Sequence, residues 1–265
     1  MTSRIDRVFA LLGRPVAHSL SPRMHNAAFT AMGIRATYVA LDCTAATLPA
    51  LITTLTEGGG GGNVTVPHKG VAAEAVTRMV GVPPDACNTF WAEDGKAVGT
   101  NTDVDGILGA IELFHVDAEA WLIIGTGGSA LAAAAAAARR GDRVAVQSRS
   151  DVRGSEFLRR AEVLGARPAS LSECGLVINA TPLGLGDGDH LPLRPQAVPD
   201  ARFALDLVYR AGETAWVRAM RSAGVRAIDG REVLVGQGAA AFERWFPGRV
   251  APVEIMRAAV RAGLD

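Results

Sequence analysis

The chain has 265 residues, 49% of them hydrophobic, with 27 Lys and Arg balanced by 27 Asp and Glu. It is long and apolar enough to bury two cores of ordinary size, and its balanced charge, with basic residues spread along the sequence, gives no electrostatic basis for a nucleic-acid or acidic-membrane partner. Cys43, Cys87 and Cys174 are odd in number and lie outside any C-x-x-C spacing, which argues against a disulfide framework or a thiolate zinc site and fits a reducing cytoplasm.

The opening Met1-Thr2-Ser3-Arg4-Ile5-Asp6-Arg7 carries an acid and leads into a brief apolar run at 8–12, too short for the core of a secretory leader. No later stretch is apolar enough to span a membrane. Apolar runs and helical patterns then alternate at 8–12, 24–31, 37–41, 48–55 and 64–66, as expected of parallel βα units. The glycine run at 58–62 reads as a flexible connector without ligand contact. Val64-Thr65-Val66 suits a strand that Pro67 stops, so Lys69 is delivered from a strand end, where α/β proteins place chemistry.

Phe90-Trp91-Ala92 and Ala97-Val98 flank Asp94-Gly95, a hairpin signal that brings Asn88 near the segment 99–103. Asp103 precedes a helix pattern with Val104, Ile107, Leu108 and Ile111 on one side. An isolated Asp there is an N-cap more often than a catalytic group. Together with Lys69 and the neighbouring hydroxyls and amides, however, it also makes a site for a small polar ligand. His18, His25 and His68 lie among these motifs but lack a helical His-x-x-x-His pair and a carboxylate cluster, so no metal is expected. His68 is expected to pack or hydrogen-bond at the strand end, and Met24, Met32 and Trp121 are core candidates.

Downstream, Trp121-Leu122-Ile123-Ile124 is followed by Gly125-Thr126-Gly127-Gly128-Ser129-Ala130 and an alanine-rich helix. Such a turn lets backbone N–H groups and the positive end of a helix approach a pyrophosphate, because glycine lacks the Cβ that would block it. The pattern G-x-G-G-x-A inside a βαβ unit is a dinucleotide signal, with alanine replacing the last glycine. The next strand, Arg143-Val144-Ala145-Val146-Gln147, ends about twenty residues on, where NAD-binding folds place an acid on the ribose. Here Ser148-Arg149-Ser150 offers an arginine beside two hydroxyls, which favours the 2′-phosphate of NADP, and Arg153 offsets the nearby Asp151. The βα pattern continues as a Rossmann-like half, and residues 238–264 close the chain with two amphipathic helical patterns.

Gly13-x-Pro15-x-x-His18-Ser19-x-Ser21-Pro22, Asn63 to Lys69, Asn88-Thr89, Asn101-Thr102-Asp103, the glycine turn, Asn179-Ala180-Thr181-Pro182, Asp206-Leu207-Val208-Tyr209 and Gln237 with Phe242 and Trp245 are collectively specific. In these motifs nearly the whole chain resembles the shikimate dehydrogenase family. The resemblance implies an α/β fold of two domains separated by a cleft: an α/β substrate-binding and catalytic domain of residues 1–103 plus 237–265, and an inserted Rossmann-like NADP-binding domain of residues 104–236. It implies an NADP-dependent oxidoreductase acting on a CH-OH group, which reversibly reduces 3-dehydroshikimate to shikimate on the route to chorismate and the aromatic amino acids. On the same ground the enzyme is a cytoplasmic monomer or homodimer whose partner is its small-molecule substrate.

By the same carry-over, Lys69 and Asp103 are the catalytic pair. Ser19, Ser21, Thr65, Lys69, Asn88, Asp103 and Gln237 look like substrate ligands, with Tyr209 at the substrate's edge. The cofactor residues implied are Gly125, Gly127, Gly128, Ser129, Ala130, Ser148, Arg149, Ser150, Arg153, Thr181, Val208 and Gly230. The chemistry of these groups fits: hydroxyls donate to a carboxylate, amides both donate to and accept from a polyol, and an ammonium oriented by a carboxylate can stabilise an alkoxide and pass a proton. Ser148-Arg149-Ser150 departs from the family's Asn-Arg-Thr, keeping the arginine. A methionine common near Gln237 is absent, and Gly238 replaces a common alanine, so local cofactor packing is expected to differ. Sister activities on quinate or an aminated analogue are the alternatives. Ser21 argues against quinate, for which relatives often carry threonine. A ligand-sensing relative without redox activity would be expected to have lost Lys69, Asp103 or the glycine turn, and all three are intact.

Overall fold

The computed structural model describes residues 5–264, so the first four residues of the polar opening segment lie outside it. The chain forms two compact units, one running to Gly106 and resuming at Leu234–Gly263, the other comprising Ile107–Val233.

In order, the first unit contains β1 (Arg7–Gly13), α1 (Ser21–Ala31), β2 (Ala36–Asp42), α2 (Leu48–Glu57), β3 (Gly61–Val64), α3 (Lys69–Ala75), β4 (Arg78–Met79), β5 (Thr89–Glu93), β6 (Lys96–Thr100) and the start of α4 (Asp103–Leu113). Its six-stranded sheet has the order β2-β1-β3-β5-β6-β4. β1 is parallel to both neighbours, and its Phe9-Ala10-Leu11-Leu12 run is buried throughout, as a central strand covered on both faces must be. β5 and β6 form the expected hairpin. Asp94 (φ 51°) and Gly95 (φ 73°) both take the positive φ that a two-residue turn of matching twist demands.

The glycine run is a connector only over residues 58–60, which link α2 to β3. Gly61 and Gly62 lie in β3, between β1 and β5. A Cβ at Gly62 would strike the Ala10 carbonyl oxygen, and one at Gly61 that of Phe90. Glycine is therefore needed for the close approach of neighbouring backbones. The strand accordingly sits three residues earlier than Val64-Thr65-Val66 suggests. Thr65 begins a turn, its N–H donated to the Leu12 oxygen at 2.9 Å and its carbonyl accepting the His68 N–H at 3.0 Å.

An aromatic core backs this sheet. Phe9 lies 4.8 Å from Trp245 and 5.5 Å from Phe29, ring centre to ring centre, and Trp245 Nε1 donates to the Phe90 oxygen at 3.1 Å. His25 stacks on Tyr38 at 4.6 Å, and neither of its ring nitrogens has a hydrogen-bond partner. Burial pushes its pKa down to about 3, so it packs as a neutral ring. Gly238 also belongs to this core: a Cβ there would meet the Met24 methyl, and Met256 is close by. The glycine makes room for Met24, and this contact lies within the first unit's own core.

The second unit continues with β7 (Ala120–Ile124), α5 (Gly128–Arg140), β8 (Arg143–Gln147), α6 (Asp151–Val163), β9 (Arg167–Pro168), β10 (Leu176–Asn179), β11 (Phe203–Asp206), α7 (Ala215–Ser222), β12 (Arg226–Ile228) and the start of α8 (Arg231–Trp245); α9 (Val253–Arg261) returns to the first unit. The strand order is β12-β11-β10-β7-β8-β9 and all pairings are parallel. This is the doubly wound order of dinucleotide-binding sheets. Every residue of α5 from Ala130 to Ala137 is buried, since methyl-sized side chains let the helix lie close against its surroundings on all sides. No helix among the described residues is long and apolar enough to cross a membrane.

Candidate active site and candidate dinucleotide site

In the first unit, the groups of interest gather at the C-terminal ends of β1, β2 and β3. The loop after β1 is stitched to them: Asp42 accepts the Val16 N–H at 2.9 Å, the Arg14 N–H reaches the Val66 oxygen at 3.2 Å, and the Cys43 N–H reaches the Gly13 oxygen at 2.9 Å. His68 Nε2 bonds the Cys43 oxygen at 3.0 Å, so this histidine ties two strand ends together. Ser19 and Ser21 sit on the stitched loop at the start of α1, their hydroxyls 3.2 Å apart.

Lys69 opens α3, and its carbonyl accepts the Cys87 N–H at 2.9 Å, which sets the 87–89 segment beside it. The Lys69 ammonium is ion-paired with Asp103, the two side chains only 11% and 17% exposed. The other Asp103 oxygen accepts Asn88 Nδ2 at 2.7 Å. The N-cap expectation for Asp103 therefore fails. Its side chain is spent on Lys69 and Asn88, while its own N–H is donated to Asn101 Oδ1 at 3.1 Å. Its place in the first turn of α4 does suit a carboxylate electrostatically. A partly desolvated ammonium held in this way is oriented far more firmly than a surface lysine.

Of the other residues singled out above, Thr65 is half-buried in the turn after β3. Gln237 lies on α8, 8% exposed, its Nε2 donated to the Leu234 oxygen at 3.0 Å. Tyr209 lies in the second unit, half-buried after β11. Lys69, Asn88 and Asp103 are joined by direct hydrogen bonds, as are Ser19 and Ser21. Sequence reasoning missed the buried polar file behind Asn88, formed by Thr89, Thr102, Asn63 and Tyr38. Its signal was polar side chains placed within apolar strands.

In the second unit, Gly125 follows β7 with φ 110°. A Cβ there would press on the Ala180 oxygen and on Thr181, each at 3.1 Å, so the turn is closed by glycine and not merely loosened by it. Gly127 is the N-cap of α5, and Gly128, Ser129 and Ala130 form its first turn, where N–H groups have no partner within the helix. Ser148 accepts the Ser150 N–H at 3.2 Å, and Ser150 caps α6 by accepting the Arg153 N–H at 3.4 Å. The two serines thus shape the loop that carries Arg149, while Arg149 and Arg153 are exposed.

Just beyond the strand ends of the same unit, Thr181 donates to Asn179 Oδ1 at 2.7 Å, and the Gly230 N–H reaches the Val208 oxygen at 3.1 Å. Asp206, fully buried, accepts from Asn179 at 2.8 Å, Thr214 at 2.7 Å and the Val208 N–H at 3.1 Å. Burial pushes its pKa up to about 6 even against these hydrogen bonds. It braces the ends of β10 and β11 from within. Among the described residues, no group of three or more His, Cys, Asp or Glu side chains could hold a metal ion.

Three family models match the chain: the shikimate dehydrogenase substrate binding domain over residues 11–89, the shikimate 5'-dehydrogenase C-terminal domain over residues 230–261, and an FAD binding domain over residues 121–161. The last covers only β7, the glycine turn, α5, β8 and most of α6, the βαβ region that flavin and nicotinamide dinucleotide folds share. The shikimate dehydrogenase (NADP(+)) of Symbiobacterium thermophilum is 38% identical over 98% of this chain and 95% of its own length. That of Halobacterium salinarum is 38% identical over 97% and 99%. Among solved structures, shikimate 5-dehydrogenase from Thermus thermophilus in complex with NADP(H) and shikimate has a TM-score of 0.88 at 34% identity, covering 97% of this chain and 100% of that one. With identity of this extent along nearly its whole length, the chain belongs to the shikimate dehydrogenase family.

Proposed function

We propose that the protein is an NADP-dependent shikimate dehydrogenase, which reduces 3-dehydroshikimate to shikimate and runs in reverse as an oxidation. The observation that carries this reading is the buried Lys69–Asp103 pair, braced by Asn88, at the strand ends of a unit that matches the family's substrate binding domain. Reduction of a ketone adds a hydride to carbon and a proton to oxygen; the reduced nicotinamide supplies the first when bound, and the Lys69 ammonium supplies the second. Lys69 holds that proton at Nζ and places positive charge where the alkoxide develops. Asp103 keeps the ammonium oriented. Water restores the proton to the amine after turnover.

Ser19 and Ser21 are assigned to the substrate carboxylate, and Thr65, Asn88 and Gln237 to its hydroxyls, with Tyr209 at its edge. The cofactor is assigned to the second unit. Gly125, Gly127, Gly128, Ser129 and Ala130 offer glycine-lined backbone and a free first helical turn to the pyrophosphate. Arg149 and Arg153, with Ser148 and Ser150, are assigned to the 2′-phosphate, and Thr181, Val208 and Gly230 to the rest of the dinucleotide. Both arginines are exposed, so their guanidinium groups are open to an anion. The three cysteines are free and buried, which supports a reducing, cytoplasmic setting; the assignment as a monomer or homodimer rests on the family resemblance alone.

Steady-state oxidation of shikimate and quinate, each with NADP and NAD, tests this reading through the absorbance of the reduced nicotinamide. Shikimate with NADP is expected to give by far the highest kcat/KM. A preference for quinate or for NAD would move the chain to a sister activity, and silence in all four pairs would contradict the assignment.

A further inference from the structure

Asn88 is held by more than Asp103. Its Oδ1 accepts the Thr102 N–H at 2.7 Å and the Thr89 hydroxyl at 2.9 Å, while the Thr102 hydroxyl, 2.8 Å from the Thr89 oxygen and 3.2 Å from Oδ1, gives its single proton to Thr89 in this arrangement. A backbone N–H can only donate, so the oxygen end of the amide is fixed and its nitrogen must face Asp103. Behind Thr89 the file continues. Asn63 Nδ2 donates to the Thr89 hydroxyl at 2.8 Å, and the Tyr38 hydroxyl donates to Asn63 Oδ1 at 2.7 Å. Each link donates in the same direction, from Tyr38 through Asn63, Thr89 and Asn88 to the Asp103 carboxylate. Every one of those four donors is buried in the core of the unit.

We propose that Thr89, backed by Asn63 and Tyr38, is a positioning residue that locks the Asn88 amide and through it sets the Asp103 carboxylate that orients Lys69. The proposal rests on the assignment of Lys69 and Asp103 as the catalytic pair. A file of donors aligned head to tail polarises each successive bond, and in a low-dielectric interior that strengthens the last one, onto the carboxylate. The lock also limits what Asn88 can offer a substrate. Its acceptor end is saturated, so it presents only its remaining N–H, a donor to a substrate oxygen.

Three variants and one spectroscopic signature test this. In shikimate oxidation with NADP, Thr89→Val is expected to lower kcat roughly 5- to 50-fold, and Tyr38→Phe, which removes only the far hydroxyl, about 2- to 5-fold. The KM for NADP stays unchanged in both, and Thr89→Ser, which keeps the hydroxyl, restores turnover. In 15N NMR the Asn88 side-chain amide protons exchange slowly in the wild type and faster in Thr89→Val. Wild-type kcat in both Thr89→Val and Tyr38→Phe, even with a lowered melting temperature, would reduce the file to a structural role and overturn the proposal. So would an Asn88 amide that exchanges equally slowly in Thr89→Val and wild type. If the wild type itself fails to oxidise shikimate, the functional reading falls, and the amide-exchange comparison still decides the lock.

Discussion

The strand ends of the first unit carry charge and amides on side chains: Lys69, Asp103 and Asn88, each braced by another polar side chain. Those of the second unit carry glycine, short hydroxyls and backbone N–H groups around the buried carboxylate of Asp206. The cores differ in the same sense. The first packs Phe9, Phe29, Tyr38, Trp245 and His25 ring against ring, while the second, which also buries Trp121, Trp216 and Phe157, sets beside its glycine turn a helix buried from Ala130 to Ala137. The contrast teaches a division of labour. A reaction that moves a proton at one atom needs a titratable side chain held rigidly, and rigidity comes from bulky packing and a saturated polar file. A long anionic ligand needs access to backbone, and access comes from residues that are small.

Removing the carboxylate strikes the first unit hardest. Asp103→Ala leaves Lys69 without its anchor and Asn88 without its acceptor, and kcat for shikimate oxidation is expected to fall roughly 10²–10⁴-fold, while NADP binding, measured by fluorescence titration, is retained. A parallel loss of cofactor binding would break the division. In the second unit, Arg149→Ala is expected to cut the NADP over NAD preference roughly 10- to 100-fold, the worth of a charge-assisted contact, with kcat on NAD unaffected. A ratio equal to that of the wild type would remove Arg149 from the cofactor site.

Acid should separate the units further, and in opposite senses. Unfolded His25 takes a proton near its ordinary 6.5 but the folded chain only near about 3, because burial disfavours the charged ring. Its stability is thus whole above 6.5 and is lost as pH falls. Asp206 runs the other way: its folded pKa of about 6 lies above its ordinary 3.8, so its contribution is whole below 3.8 and is lost as pH rises toward 6. From pH 7 to pH 5 the first unit should lose about 2 kcal/mol and the second gain about 1 kcal/mol from these two groups. Hydrogen exchange, corrected for intrinsic rates, should show protection falling in the first unit and rising in the second, and His25→Phe should abolish the first change. Equal changes in both units would show that neither group sets the response.

Much of this contrast is legible in the sequence alone. The Asp94-Gly95 hairpin and the glycine turn before α5 rest on local rules, left-handed turn residues and Cβ-free backbone, whereas the pairing of Lys69 with Asp103 is legible only through the family resemblance. What escapes depends on partners distant in sequence. Gly61 and Gly62 read as a connector because glycine usually marks flexibility, whereas here two flanking strands leave no room for a Cβ. Asp103 reads as an N-cap because only the fold brings it a lysine 34 residues away. His25 reads as a polar residue near a site, and only packing reveals a neutral ring stacked on Tyr38. The file from Tyr38 to Asn88 is likewise invisible as spacing, since its members come from separate segments of the chain.

The most direct test of the division is Lys69→Ala, measured at once for shikimate turnover and for NADP affinity. A kcat lowered roughly 10²–10⁴-fold with an unchanged Kd for NADP is the result expected if the first unit's side chains move the proton and the second unit's backbone holds the cofactor. Turnover close to that of the wild type would contradict it.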